Sequence, residues 1–316
     1  MNEKKIIAVM GATGAQGGGL VRAILNDRES PFAVRALTHN VNSDKARELA
    51  EMGAEVVFAD LDDPKSLENA FAGAYGAFCV TFFWAHFSPD KEKAGARAMA
   101  EALKTAGVKH AIWSTLEDTR KFISLTDNRM PTLMGEYKVP HFDAKEESNE
   151  FFTAAGVPTT FLYTSFYWEN FIYFGAGPQK GPDGKLYLTM PMGDKRLPGI
   201  ASEDIGKVAY GIFRQGSELI GKKVFIAGEH VSGMQMAASL SRATGKEIIY
   251  NAVDPDVYRC FGFQGADEMG NMYQFKRDFN DYYCGIRDLN FARRLNSELQ
   301  TFDQWLEKNA ARIPVE

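Results

Sequence analysis

The chain has 316 residues, 45% hydrophobic and 24% charged, with a formal net charge of −5. Those are ordinary globular values, and the length suits a core of about 150 residues with a second region attached. No apolar run reaches the roughly 18 residues of a bilayer span, the N-terminal lysines lead straight into a strand instead of a leader, and no basic run is concentrated enough to neutralise phosphates; we therefore expect a cytoplasmic protein without membrane or direct nucleic-acid partners.

Only Cys79, Cys260 and Cys284 are present, without CxxC pairs or histidines at zinc spacing, which argues against a disulfide framework and against a metal site. Cys79, in the apolar run AFCV, reads as a buried inert thiol.

The first predicted strand is IIAVM (6–10), and a glycine turn of spacing GxxGxxG follows directly, with Gly11, Gly14 and Gly17 at the mouth of a predicted helix. Gly11 permits the tight turn and Gly14 a close approach of backbone to a pyrophosphate. Gly17 permits close helix packing, and the free N–H groups of the helix start hold the anion. A second strand, FAVRAL (32–37), ends in Thr38-His39-Asn40, with no carboxylate to bind a ribose 2′-hydroxyl; that favours a 2′-phosphate, for which His39 and Asn40 can donate hydrogen bonds. Arg35, mid-strand, reads as packing or a surface pair.

The third strand, EVVFA (55–59), runs into Asp60-Leu61, where either an adenine contact or a cap on the following helix is open. The fourth, AFCVT (77–81), ends in Thr81-Phe82-Phe83-Trp84 at the carboxyl edge of the sheet, as nicotinamide-pocket lining or as core. After a helix over SPDKEKAGARAMAEALKTAG comes HAIWST (110–115), with Ser114 and Thr115 where a catalytic serine lies in short-chain dehydrogenases.

Those enzymes use a Tyr-x-x-x-Lys helix, in which tyrosine delivers a proton and lysine binds ribose; here the segment is His141-Phe-Asp-Ala-Lys145. Lysine is kept and tyrosine is not. His141 is the one tentative catalytic residue. TTFLYT (159–164) completes six strands alternating with helices, which implies a doubly wound parallel sheet with order beginning 3-2-1-4-5-6. Beyond about residue 165 the aromatic, Gly- and Pro-rich segments suggest a smaller α+β region capping the cofactor cleft, so we expect a Rossmann domain over 1–165 and a C-terminal subdomain over 166–316.

The ordered set GATGAQGG, LTHN, GAEVVFADLDD, HFDAK and FYWENF resembles the NmrA-like family, an atypical branch of the short-chain dehydrogenases/reductases, over almost the whole length. GPDGKLYLTMPMGD, SEDIG, GFQGADEMGNMYQF and TFDQWLEK are similar to its HSCARG-type NADPH redox sensors. The resemblance implies NADP(H), with NAD(H) less favoured, held by Gly11, Ala12, Thr13, Gly14, Ala15 and Gln16, by His39 and Asn40, by Thr81, Phe82 and Phe83, by Lys145, and by Phe166, Tyr167, Trp168 and Glu169. Where those sensors have an arginine and a lysine for the 2′-phosphate, this chain has His39 and Ser43, with Lys45 and Arg47 nearby to compensate.

Three functions follow in order of preference. The first is a non-catalytic NADP(H)-binding sensor or regulator, for which a regulatory protein partner and a homodimer stand as candidates. The second is an NAD(P)H-dependent reductase of a quinone or another conjugated carbonyl, and the third a scaffold with a vestigial site.

Overall fold

A computed structural model describes residues 3–315. Its strands are β1 (Lys5–Met10), β2 (Phe32–Thr38), β3 (Glu55–Phe58), β4 (Gly76–Cys79), β5 (His110–Thr115), β6 (Thr159–Tyr163), β7 (Phe166–Tyr167), β8 (Gln179–Lys180), β9 (Leu186–Met190), β10 (Arg196–Ile200), β11 (Lys223–Phe225), β12 (Glu229–Ser232) and β13 (Ile248–Ala252). Its α-helices are α1 (Ala15–Asn26), α2 (Asp44–Glu51), α3 (Pro64–Phe71), α4 (Pro89–Ala106), α5 (Pro140–Ala154), α6 (Asn170–Tyr173), α7 (Ser202–Arg214), α8 (Gly233–Thr244), α9 (Pro255–Arg259), α10 (Ala266–Asp278), α11 (Asn280–Gly285), α12 (Leu289–Leu295) and α13 (Phe302–Asn309). Among the described residues no helix is long and apolar enough to cross a membrane.

The chain forms two compact units. The first comprises residues 1–118, 141–164 and 203–224. Its seven-stranded sheet has the order β3-β2-β1-β4-β5-β6-β11, so the predicted run 3-2-1-4-5-6 is observed with β11 added at the far edge. Ile7 sits in register with Val34 on one side and Gly76 on the other, both in parallel pairing. Strands read as unbroken apolar runs because both faces are covered: Ile7, Ala8 and Val9 are all fully buried although successive side chains point to opposite faces. On one face Ala8 and Met10 join Leu67, Phe71, Met99, Leu103 and Trp113 in one core.

Helix ends follow local chemistry. Ser43, Asp63 and Ser88 accept backbone N–H bonds at the starts of α2, α3 and α4, and Gly107 closes α4 in the left-handed region. The helix of residue 63 is therefore capped by Asp63 itself, while Asp60 turns its carboxylate to the Asp62 N–H, 3.0 Å away.

The second unit comprises residues 119–140, 165–202 and 225–316 and carries two three-stranded sheets, β7-β10-β12 and β8-β9-β13. Trp168 is fully buried there, close to the ring of Phe302, and Gly199 makes room for it: a Cβ at Gly199 would lie 2.3 Å from the Trp168 indole nitrogen. Ser232 with Gln235 and Thr301 with Gln304 form reciprocal caps that start α8 and α13.

Candidate functional site

In the first unit, the loops leaving the carboxyl ends of β1, β2, β3, β4 and β5 are neighbours, and the chain reverses direction across the sheet between β1 and β4. That switch point is where open α/β sheets take their ligands. Gly11 has φ of +66°, and its carbonyl accepts the Gly14 N–H at 2.9 Å. A Cβ at Gly17 would fall 2.4 Å from the Gly11 carbonyl oxygen, so only glycine lets the helix start this close to the turn. At the N-terminus of α1, Gly14 supplies no side-chain cap, and Gly14 and Ala15 are exposed. A twelve-residue helix thus begins without a side-chain cap beside a backbone cradle, the arrangement that fits a pyrophosphate. Ala12 is buried beneath the turn, Thr13 is half-buried, and the Gln16 amide oxygen accepts the Ser114 hydroxyl at 2.8 Å, tying the glycine turn to the end of β5.

At the end of β2, His39 and Asn40 are exposed, and the Asn40 side-chain oxygen accepts the Asn42 N–H at 3.1 Å. Arg47, in the first turn of α2, folds back to the Asn42 carbonyl, 2.6 Å away, and to Asp44, 2.9 Å away, so an exposed guanidinium stands beside this loop. Arg35 is used structurally, paired with Glu55 at 2.8 Å and donating to the carbonyls of Ala70 and Ala72. Asp60 and Leu61 are half-buried; Leu61 packs over Gly95 of α4, where a Cβ would sit 3.0 Å from Leu61 Cδ1 and 3.5 Å from Thr81 Cγ2.

The densest chemistry lies after β4. Lys145, on α5, donates to the Thr81 hydroxyl at 2.7 Å and to the Glu92 carboxylate at 2.6 Å, and the Thr81 hydroxyl in turn donates to the same carboxylate in a short bond. Thr81 and Lys145 are each 8% exposed and Glu92 is wholly buried. Its second carboxylate oxygen faces His86 Nε2 at 3.5 Å. His86 Nδ1 accepts the Ser88 N–H at 3.1 Å, which leaves Nε2 as the protonated nitrogen turned to Glu92. Burial holds the His86 imidazole below its ordinary value, and the Glu92 charge opposes that effect.

Lys145 is also fixed through its backbone, because the buried Thr115 hydroxyl donates to its carbonyl at 3.0 Å. Thr115 anchors α5, and Ser114 serves the glycine turn. Sequence reading placed Thr81 and Lys145 in the site and missed Glu92, whose run DKEK resembles a solvated helix face. The available signal was periodicity: Glu92, Ala96, Met99 and Leu103 form one buried stripe of α4, and a carboxylate on that stripe requires a partner.

His141 is 5% exposed, with ring centroids 4.8 Å from both Trp84 and Phe142 and 5.8 Å from Phe83. Phe83 is buried in this cluster while Phe82 is 56% exposed. Phe166, Tyr167, Trp168 and Glu169 belong to the second unit. There Phe166 and Trp168 are core residues and Tyr167 is half-buried; the Glu169 carboxylate accepts the Ser202 N–H at 2.8 Å and the Trp305 indole N–H at 3.0 Å, with burial pushing its carboxyl pKa up. Among the described residues no cluster of histidine, cysteine or carboxylate side chains could hold a metal ion.

The model of the NmrA-like family matches residues 3–306. The chain belongs to the NmrA-like family. An NmrA-like family domain-containing oxidoreductase, FrzB, of a Cladobotryum species is 29% identical over 283 residues, 84% of this chain and 80% of that protein. Among solved structures, NmrA, a negative transcriptional regulator in complex with NADP, superposes with a TM-score of 0.77 at 24% identity over 97% of this chain and 95% of its own. The Citrobacter triphenylmethane reductase complexed with NADP(H) gives 0.75 at 20% identity over 96% of this chain and 99% of its own. At these identities the two structures establish the common Rossmann-type α/β fold of this NmrA-like chain.

Proposed function

We propose that this NmrA-like protein binds NADP(H) and acts as a redox sensor or regulator, without the proton-delivery chemistry of ordinary short-chain dehydrogenases. The observation that carries the reading is an asymmetry in the site. The parts that would hold a dinucleotide are intact: the glycine cradle over Gly11–Gly17, Thr81 and Lys145. The position of the proton-donating tyrosine instead holds His141, enclosed by Phe83, Trp84 and Phe142. Bound NADPH supplies a hydride, and a site that withholds its proton donor keeps the cofactor as a ligand.

The loop after β2 supports the choice of NADP(H) over NAD(H). No carboxylate stands at the end of β2 to bind a ribose, His39 and Asn40 there are exposed, and the exposed Arg47 in the first turn of α2 holds only exposed partners that a 2′-phosphate would outcompete. A ligand reports redox state only by favouring one conformation. The segments suited to that are 39–47 and 82–90, the second containing Phe87 at φ +52°. A negative transcriptional regulator with NADP bound shares this fold, which agrees with the regulatory reading.

A second reading, NAD(P)H-dependent reduction of a quinone or another conjugated carbonyl, is favoured by Phe82, whose exposed ring at the carboxyl edge of β4 suits a flat acceptor. It is also favoured by the names oxidoreductase and reductase carried by the similar proteins. Calorimetric titration with NADPH, NADP, NADH and NAD, followed by a quinone panel monitored at the reduced-nicotinamide absorbance, separates the two. We expect NADP(H) to bind more tightly than NAD(H), slowed hydrogen exchange over 39–47 or 82–90, and no acceptor-dependent oxidation. Absence of binding overturns both readings, and oxidation that is lost in His141→Ala establishes the reductase.

A further inference from the structure

We infer that Glu92 is a positioning residue for the dinucleotide, its buried carboxylate fixing the pose of the Lys145 ammonium together with the Thr81 hydroxyl. The inference rests on the dinucleotide-binding reading above and deepens it. Burying a carboxylate costs several kcal/mol of solvation, and a hydrophobic side chain in its place is often equally stable. The stripe of α4 that carries Glu92 continues through Ala96, Met99 and Leu103, all fully buried, so packing alone would be served by leucine or methionine. What Glu92 adds is directed charge. One oxygen is 2.6 Å from Lys145 Nζ and accepts the Thr81 hydroxyl as well.

The ammonium has three N–H bonds. Thr81 Oγ1 and Glu92 take two at close range, and the third reaches the Thr81 carbonyl in a long bond of 3.4 Å. The two short contacts fix the amine, the long third is the one a ligand oxygen would displace, and the fixed pose removes rotamer freedom that a flexible lysine would otherwise lose on binding. Glu92 also lies in the first turn of α4, where the helix N-terminus stabilises its negative charge.

The test is NADPH titration of the wild type, Glu92→Gln, Lys145→Met and the double variant. Glu92→Gln keeps size and hydrogen bonding and removes the charge. We expect it to weaken binding about tenfold, as loss of a charged hydrogen bond does. Lys145→Met should weaken binding at least as much, and the double variant should match Lys145→Met alone. Wild-type affinity in Glu92→Gln, or a double variant with additive losses, overturns the inference. If Glu92→Gln does not fold, Glu92→Asp decides, since it keeps the charge but draws it back by one methylene: unchanged affinity overturns the inference, and an affinity loss that vanishes in the Lys145→Met background supports it. If the wild type takes up no dinucleotide, the proposed function fails. The Glu92 claim is then read separately from lysine-selective NMR, in which the Lys145 ammonium protons are protected from solvent exchange in the wild type and lose that protection on replacement of Glu92 if the carboxylate holds them, and are equally protected in both if it does not.

Discussion

His110 opens β5 fully buried, and its Nε2 lies 2.9 Å from the Thr160 hydroxyl. Because that hydroxyl donates to the Leu219 carbonyl at 2.8 Å, it can only accept from the ring, so Nε2 carries a proton, and Nδ1, buried with no hydrogen-bond partner among the described residues, disfavours a second. Burial lowers the imidazole from its ordinary value to about 4. The unfolded chain, with an ordinary imidazole, therefore binds one more proton than the folded chain between about pH 6.5 and 4, and stability present above that window is lost as pH falls through it. His110→Gln keeps a donor for Thr160 and removes the titration. We expect the unfolding free energy of the wild type to fall by about 3 kcal/mol more than that of the variant between neutral pH and pH 4, read from urea melts. Parallel acid limbs for the two proteins would count against a buried neutral imidazole.

Helix α1 meets two different demands along one glycine-rich stretch. Gly17 answers to the turn below it, whereas Gly19 answers to α7: a Cβ at Gly19 would lie 2.6 Å from the Glu203 carbonyl oxygen, and one at Gly206 would lie 2.1 Å from the Leu20 nitrogen. Two helix backbones in contact leave no space for a methyl group, and the atoms that would have to yield are main chain. Gly206→Ala should therefore destabilise the protein by about 3 kcal/mol or more despite its better helix propensity, seen as a lowered Tm. A neutral or stabilising result would mean that α1 and α7 are not packed this closely. In the sequence GGGLVRAILN the third glycine is visible, but its partner is some 180 residues away in the segment SEDIG, and no local pattern joins them.

Across the whole chain, the sequence suggests one boundary near residue 165, and the chain changes compact unit there and also after Asp118, Pro140, Ser202 and Val224. A chain ending at residue 165 would lack α7, which meets α1, and β11, the strand beside β6. We expect it to aggregate or to lack a cooperative thermal transition, whereas a Tm within a few degrees of the full chain's would show that residues 1–165 suffice. The alternating apolar runs, the glycine turn and the His141-to-Lys145 spacing were legible in the sequence because each is a local periodicity or a short motif: a strand buried on both faces must be apolar throughout, and a pyrophosphate turn needs glycine at fixed offsets. The sequence by itself thus determined the doubly wound sheet, the order of its first six strands and the place of the cradle. Only the tertiary structure decided that Glu92 faces Lys145, that α7 and β11 return to the first unit, and that His141 is enclosed by aromatic rings, because burial and pairing between residues far apart in sequence depend on which helix faces the packed sheet leaves in contact.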